Sequence, residues 1–204
     1  MTDIAQIYLQ TPQQFDLAEF SPLLAEILEC TAIACLRISM ASNDAKTLGR
    51  AADALREICH ARDVAIVIDD HFRMAETHGL DGVHLTDGSK TIREARKLLG
   101  KDAIIGAYCG GSRHMGMTAA EIGVDYVSFG PLIDTGLGDG AIATADLFQW
   151  WSEMIEVPVV AEGGINETSL ASIKDHADFI CLGPEIWGTD SPKTSLANII
   201  AALA

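Results

Sequence analysis

The segment Val157-Pro-Val-Val-Ala-Glu-Gly-Gly-Ile165, followed by Asn166-Glu-Thr-Ser-Leu170, reads as one complete structural unit. A short apolar run rich in β-branched residues predicts a buried strand. Paired glycines predict a tight turn after it. Asn166 then offers a side-chain oxygen to the first free amides of a helix. A buried strand that turns directly into a capped helix is the building block of parallel α/β folds.

Working outward, the same unit recurs along the whole chain. The other apolar runs are Ile7–Leu9, Ala32–Leu36, Val64–Ile68, Gly82–Leu85, Ala103–Ala107, Tyr126–Phe129 and Phe179–Leu182. With Val157–Ala161 that makes eight, spaced roughly twenty to thirty residues apart. Amphipathic stretches fill the intervals. Asn43–His60, with Asn43 as its expected cap, sets Ala51, Leu55 and Ile58 on one face, and Thr91–Leu99 stops at Gly100. Eight strand–helix repeats predict a closed (β/α)8 TIM barrel, a single domain over residues 1–204. The competing fold is an open doubly wound sheet. Its dinucleotide form needs a glycine fingerprint at the first turn, and Gln10-Thr-Pro-Gln-Gln14 has none.

Bulk composition narrows the function. The 204 residues carry a formal net charge of −15, which disfavours nucleic acid and anionic membrane surfaces as partners. A small anionic substrate stays open, because a site can be locally positive or use a bridging metal. The five cysteines (Cys30, Cys35, Cys59, Cys109 and Cys181) are widely spaced with no Cys-x-x-Cys pair, so reduced thiols in a cytoplasmic protein are expected. The start, Met1-Thr-Asp-Ile4, has no charged-then-apolar leader. No apolar stretch is long enough to span a bilayer.

Barrels of this kind place their chemistry at the carboxyl ends of the strands. Read there, the chain offers Arg37, Asp69-Asp70-His71, His84 with Asp87, Tyr108-Cys109, Arg113-His114, Asp134-Thr135, Glu162-Gly163-Gly164 and Gly183. No comparable concentration of ionisable groups is read at the amino ends. Gly163, Gly164 and Gly183 let backbone amides approach an anion, so a phosphate cradle formed after strands seven and eight is expected. Asp69 and Asp70, with Asp87 as a third oxygen donor, suit Mg2+; hydrogen-bonded turn aspartates are the alternative. Arg37 ends a buried strand and needs an anionic partner, either a ligand or Asp69/Asp70. His114 suits a proton-transfer or phosphate contact, or an exposed helix position. His84, within an apolar run, reads as a buried, satisfied histidine, and Cys109 as a small hydrophobe of the rim.

These residues also make the chain resemble the thiamine phosphate synthase family, which includes the thiazole tautomerases. The resemblance runs from Ile7 to about Trp187. It rests on Ile68-Asp-Asp70, Gly82-Val-His-Leu85, Leu98-Leu-Gly100, Ile104-Ile-Gly106, Gly123-Val-Asp-Tyr126, Gly130-Pro131, the Val157–Ile165 segment and Ala177-Asp178, in that order. It implies coupling of hydroxymethylpyrimidine diphosphate to hydroxyethylthiazole phosphate with release of pyrophosphate, supported by Mg2+. By that resemblance Arg37 contacts the pyrimidine, Asp70 binds Mg2+, and Gly164 with Gly183 cradles the thiazole phosphate; Arg113 and Thr135 join the phosphate contacts. A homo-oligomer is compatible with it. The family's Gln-x-Arg-x-Lys stretch reads Cys35-Leu-Arg-Ile-Ser39, and its Pro-Thr-x-Thr-Lys loop reads Asp134-Thr-Gly-Leu-Gly138. Its second Mg2+ aspartate falls on Ser89, and its serine after strand eight is Pro184. Two lysines that would face the pyrophosphate are thus absent. The resemblance leaves three activities: a synthase, a thiazole-tautomerase-like isomerase using His114, or a phosphate-ligand binder without turnover.

Overall fold

In the computed structural model, described over residues 4–134 and 141–203, eight parallel strands close into a barrel in chain order. The strands are β1 Gln6–Gln10, β2 Ile33–Ile38, β3 Ala65–Asp69, β4 Gly82–Leu85, β5 Ile104–Tyr108, β6 Tyr126–Phe129, β7 Val159–Glu162 and β8 Phe179–Leu182. Helices α1 Leu17–Cys30, α2 Ala45–His60, α3 Phe72–His78, α4 Ile92–Leu99, α5 Arg113–Ile122, α6 Ala145–Met154 and α7 Glu167–Ile173 cover the outside. The one-turn α8 Pro184–Trp187 and the final α9 Pro192–Leu203 follow β8. Pairing of Ile7 with Ile180 and of Leu9 with Leu182 closes β1 on β8, which rules out the open sheet. No helix among the described residues is long and apolar enough to cross a membrane.

The period-two alternation of each strand divides the apolar residues into two sets. One set, including Ile7, Leu9, Leu36, Ile66, Val83, Val127 and Ile180, packs outward with the helices. The other, Tyr8, Cys35, Val67, Tyr126, Val160 and Cys181, packs inside the barrel. Gly106 on β5 belongs there by necessity: a Cβ would lie 2.0 Å from the Tyr126 ring, so its missing side chain is the space the tyrosine fills. Two residues further along the strands the inward positions turn polar: Gln10, Arg37, Asp69, His84, Tyr108 and Glu162.

Two expectations need correction. The α2 cap is Asp44, whose carboxylate accepts from the Thr47 amide, so Asn43 lies one residue outside the helix. The amino ends of the strands also carry charged groups. Asp81, Asp125 and Asp178 each precede an even-numbered strand. Their carboxylates accept the backbone amides of Ile66, Ile105 and Val159 on the strand before, at 2.7, 2.7 and 2.8 Å. A lone aspartate before a strand resembles an ordinary turn residue, which is why sequence alone passes over it.

Candidate active site

The polar ends of the strands line a cavity of about 460 Å3 at the barrel mouth. Its walls include Gln10, Arg37, Asp69, His84, Tyr108 and Glu162, with Pro131 and Gly163 from the loops after β6 and β7. A roomier groove of about 580 Å3 between α1 and α2 lies outside the barrel, around Phe15, Leu17 and Arg50. It gathers no comparable set of polar groups, so the mouth is where chemistry is placed.

Arg37 is the electrostatic centre. Its Nη1 lies 2.6 Å from Glu162 Oε2 across the barrel, and its Nε 3.4 Å from Asp69 Oδ1. Burial works against the guanidinium charge, but Glu162 and then Asp69 outweigh it and hold the group protonated beyond its ordinary range. Burial pushes the Asp69 carboxyl up to about 6, against the pull of Arg37. The Arg37–Asp69 contact is an ion pair without hydrogen-bond geometry. Arg37 Nε and Asp69 Oδ1 are both buried with no hydrogen-bond partner among the described residues. Buried polar atoms are normally satisfied, so two atoms without a hydrogen bond on residues of one cavity wall mark that cavity for a ligand.

His84 adds a third orphan. Its Nδ1 lies 2.9 Å from the Tyr126 hydroxyl, which in turn lies 2.7 Å from the Tyr8 hydroxyl. This relay anchors the ring from below. Its Nε2 is buried, has no partner among the described residues, and belongs to a residue of the cavity wall. Burial, and then the nearby Arg37 charge, push the imidazole well below its ordinary pKa, so it is neutral. The histidine is therefore half satisfied, where the sequence suggests a fully satisfied one. Sequence reading misses Gln10, and it places Tyr108 and Glu162 at the rim without giving either a role. The Tyr108 hydroxyl donates to the Gly130 carbonyl at 2.6 Å. Cys109 is fully buried and burial pushes its thiol up to about 12, as befits a small hydrophobe.

A second polar pocket of about 420 Å3 opens beside the first and shares Ser39, Asp69 and Thr86 with it. Asp70 sits on its wall with φ +54°, a left-handed backbone that Asp and Asn tolerate best. Its carboxylate accepts the Thr86 amide at 2.7 Å and the Thr86 hydroxyl, which fixes it at the rim. Asp87 instead takes the Thr91 hydroxyl at 3.3 Å and lines neither pocket. Among the described residues no three His, Cys, Asp or Glu side chains converge on a metal position. Asp69 and Asp70 alone suit the lean coordination of Mg2+, which takes one or two carboxylates and completes its shell with water and substrate phosphate. Among the described residues the polar lining of the second pocket is carboxylates, hydroxyls, the amides of Gln13 and Asn43, and His71, without lysine or arginine. An anion entering it needs a cation there.

The glycine turn after β7 adopts the conformation its residues predict. Gly163 and Gly164 have φ +78° and +79°, and a Cβ on Gly164 would lie 2.3 Å from Ile133 Cγ1. Asn166 caps α7 through Thr168 and Ser169 in a capping box. The amides of Ile165 and Gly183 converge from the loops after β7 and β8, and both donate to the carboxylate of Glu185, at 3.2 and 3.0 Å. Arg113 and His114 fall elsewhere. Arg113 lies 4.8 Å over the Trp150 ring and donates to the Asp146 carbonyl on α6, and His114 is exposed on the first turn of α5; neither lines the cavity. Thr135 lies outside the described residues.

Comparison with known proteins places this architecture. The sequence pattern described as "Thiamine monophosphate synthase" matches residues 7–186. The thiamine-phosphate synthase of Rhodospirillum centenum is 40% identical over 201 residues, covering 97% of each chain. That of Erythrobacter litoralis is 40% identical over 151 residues, covering 72% of this chain and 71% of its own. The solved thiamine phosphate pyrophosphorylase of Pyrococcus furiosus superposes with a TM-score of 0.81 at 24% identity, over 97% of this chain and 96% of that one, and so shares the fold. With the pattern spanning every strand and a relative of this identity along nearly the full length, the chain belongs to the thiamine monophosphate synthase family.

Proposed function

We propose that this protein is a cytoplasmic, single-domain thiamine phosphate synthase that joins hydroxymethylpyrimidine diphosphate to hydroxyethylthiazole phosphate and releases pyrophosphate. The observation that carries the reading is that Arg37, Asp69 and His84 all line one cavity of the barrel mouth, and that Arg37 Nε, Asp69 Oδ1 and His84 Nε2 are all buried without a hydrogen-bond partner among the described residues. Three orphaned groups of different chemistry suit the edge of a polar heterocycle, so the pyrimidine is assigned there. Neutral His84 and the Gln10 amide supply hydrogen bonds to ring nitrogen and amine. Arg37 holds the wall together as much as it faces the ligand.

The bond between the pyrimidine methylene carbon and the diphosphate oxygen breaks, and the electron pair leaves with pyrophosphate. The thiazole nitrogen then donates its lone pair to that carbon. The second pocket, with Asp70 held by Thr86, receives the diphosphate. Mg2+ bound by Asp70 and Asp69 supplies the positive charge that this pocket's side chains lack. The amides of the Gly163–Ile165 turn and of Gly183 face the thiazole phosphate. With Ser39 at the position of a family lysine, fixed positive charge near the leaving group is sparse, so turnover is slow for the family and strongly Mg2+-dependent.

One observation favours a second reading, a phosphate-ligand binder without turnover: Arg37, the one cation among the described residues of the cavity wall, is already paired with two carboxylates. The test is thiamine phosphate formation from both substrates with and without Mg2+. The synthase reading expects Mg2+-dependent product that falls about a hundredfold or more in Asp70→Asn, which keeps the left-handed backbone. Binding of both substrates without product, at any Mg2+ concentration, selects the binder instead.

A further inference from the structure

The amides of Ile165 and Gly183 belong to loops that follow different strands, yet they grip one carboxylate, with Ile165 N on Glu185 Oε1 and Gly183 N on Glu185 Oε2. Two backbone donors from separate loops on the two oxygens of one acid form a seat for an anion. The chain fills that seat itself. Glu185 is carried by the single turn α8, whose place is fixed by the Trp187 indole N–H donating to the Gln10 carbonyl at 2.6 Å. The Glu185 backbone is therefore anchored, while its side chain is only partly buried and has solvent to swing into.

We propose that Glu185 is a built-in competitor for the phosphate of the thiazole substrate: its carboxylate occupies the seat in the free protein and must leave before a phosphomonoester enters. This rests on the synthase reading above, which assigns these amides to the thiazole phosphate. Both anions need the same two donors, and two like charges a few ångströms apart in a partly buried site exclude each other. A phosphomonoester carries about 1.5 to 2 negative charges at neutral pH and three acceptor oxygens, so it outbids a single carboxylate for amide donors. It does so at reduced net affinity, because the contacts it gains replace contacts already made. Simple anions, which gain nothing from the cavity that Gly163 of the same turn lines, are held out. The effect is selectivity for a ligand that brings both a phosphate and a ring.

Calorimetric titration of the parent, Glu185→Gln and Glu185→Ala with hydroxyethylthiazole phosphate and with unphosphorylated hydroxyethylthiazole tests this. Thermal unfolding verifies that each variant is folded. The expected result is roughly tenfold or tighter binding of the phosphate ester by both variants, with affinity for the alcohol unchanged. Ester binding that is equal to or weaker than the parent's overturns the proposal while leaving the phosphate seat intact. No preference for ester over alcohol in any of the three proteins removes the phosphate assignment itself, and the competitor with it. If either variant unfolds, Glu185→Asp, which keeps the charge but shortens the reach, decides: intermediate tightening supports competition, and unchanged ester affinity overturns it.

Discussion

Arg37 on β2 and Glu162 on β7 meet across the barrel mouth at 2.6 Å, although 125 positions separate them in the chain. Their side chains are only 6% and 12% exposed, so each charge depends on the other. Removing Glu162 leaves Arg37 only the 3.4 Å contact with Asp69, whereas removing both members of the pair leaves just Asp69, a carboxyl that burial already pushes towards its neutral form.

Glu162→Ala is therefore expected to lower unfolding free energy by about 3 to 5 kcal/mol in urea titrations. The double variant Arg37→Met/Glu162→Ala should recover at least half of that loss, at the expense of activity. A double variant that loses the full sum of the two single effects would show that the pair is not energetically coupled.

His84 predicts a pH dependence of stability. The buried ring is neutral because burial and Arg37 hold its pKa well below the ordinary value, while in the unfolded chain it titrates near 6.5. Below that pH the unfolded state binds the proton and the folded state does not, so stability falls as pH drops, by up to about 1.4 kcal/mol per unit. Asp69, pushed up to about 6, acts with the opposite sign: its folded state takes up a proton first as pH falls. The informative quantity is the difference between parent and His84→Gln, in denaturant titrations from pH 7.5 to 5. The parent should lose more stability on acidification than the variant; parallel curves would sink the assignment of a neutral buried imidazole.

Asp125 predicts a loss confined to stability. Its carboxylate accepts the Ile105 amide and pairs with Arg96 at 2.7 Å, at the end of the barrel opposite the cavity. Asp125→Ala leaves the amide without its acceptor and should cost about 1 to 3 kcal/mol in chemical denaturation. Steady-state constants measured well below the melting temperature should stay within about twofold of the parent's. A large change in KM would mean that the amino end of the barrel communicates with the mouth.

The fold is legible in the sequence because its signals are local. Each run such as Val64–Ile68 or Phe179–Leu182 declares a buried strand, and Asn166, Gly100 and Gly163-Gly164 punctuate the helices and turns around them. The rim is legible for the same reason: Arg37, Asp69 and His84 are simply the inward residues that end their strands. What sequence does not carry is the pairing across the barrel. That Glu162 faces Arg37, and that Glu185 reaches back to the amide of Ile165, follows only once the barrel closes. Arg113 and His114 show what a place in the sequence leaves open: His114 takes the exposed helix position that is its alternative reading. Their place just after β5 suggests the mouth, but the rotation of α5 turns Arg113 onto Trp150 instead.

The aspartates at the amino ends have a consequence for how this barrel can change. They stitch β3 to β4, β5 to β6 and β7 to β8, which leaves β1–β2, whose register shifts between Ile7 and Tyr8, as the one neighbouring pair in this alternation without such a stitch among the described residues. Stitching at the foot makes the scaffold tolerant of experiments at the head. Residues of the mouth outside the Arg37–Glu162 pair, such as Ser39 and Pro184, where the family resemblance implies lysine and serine, can then change one at a time while the scaffold stays folded. Evolvability of the chemistry is, in this sense, a property of the opposite end of the molecule.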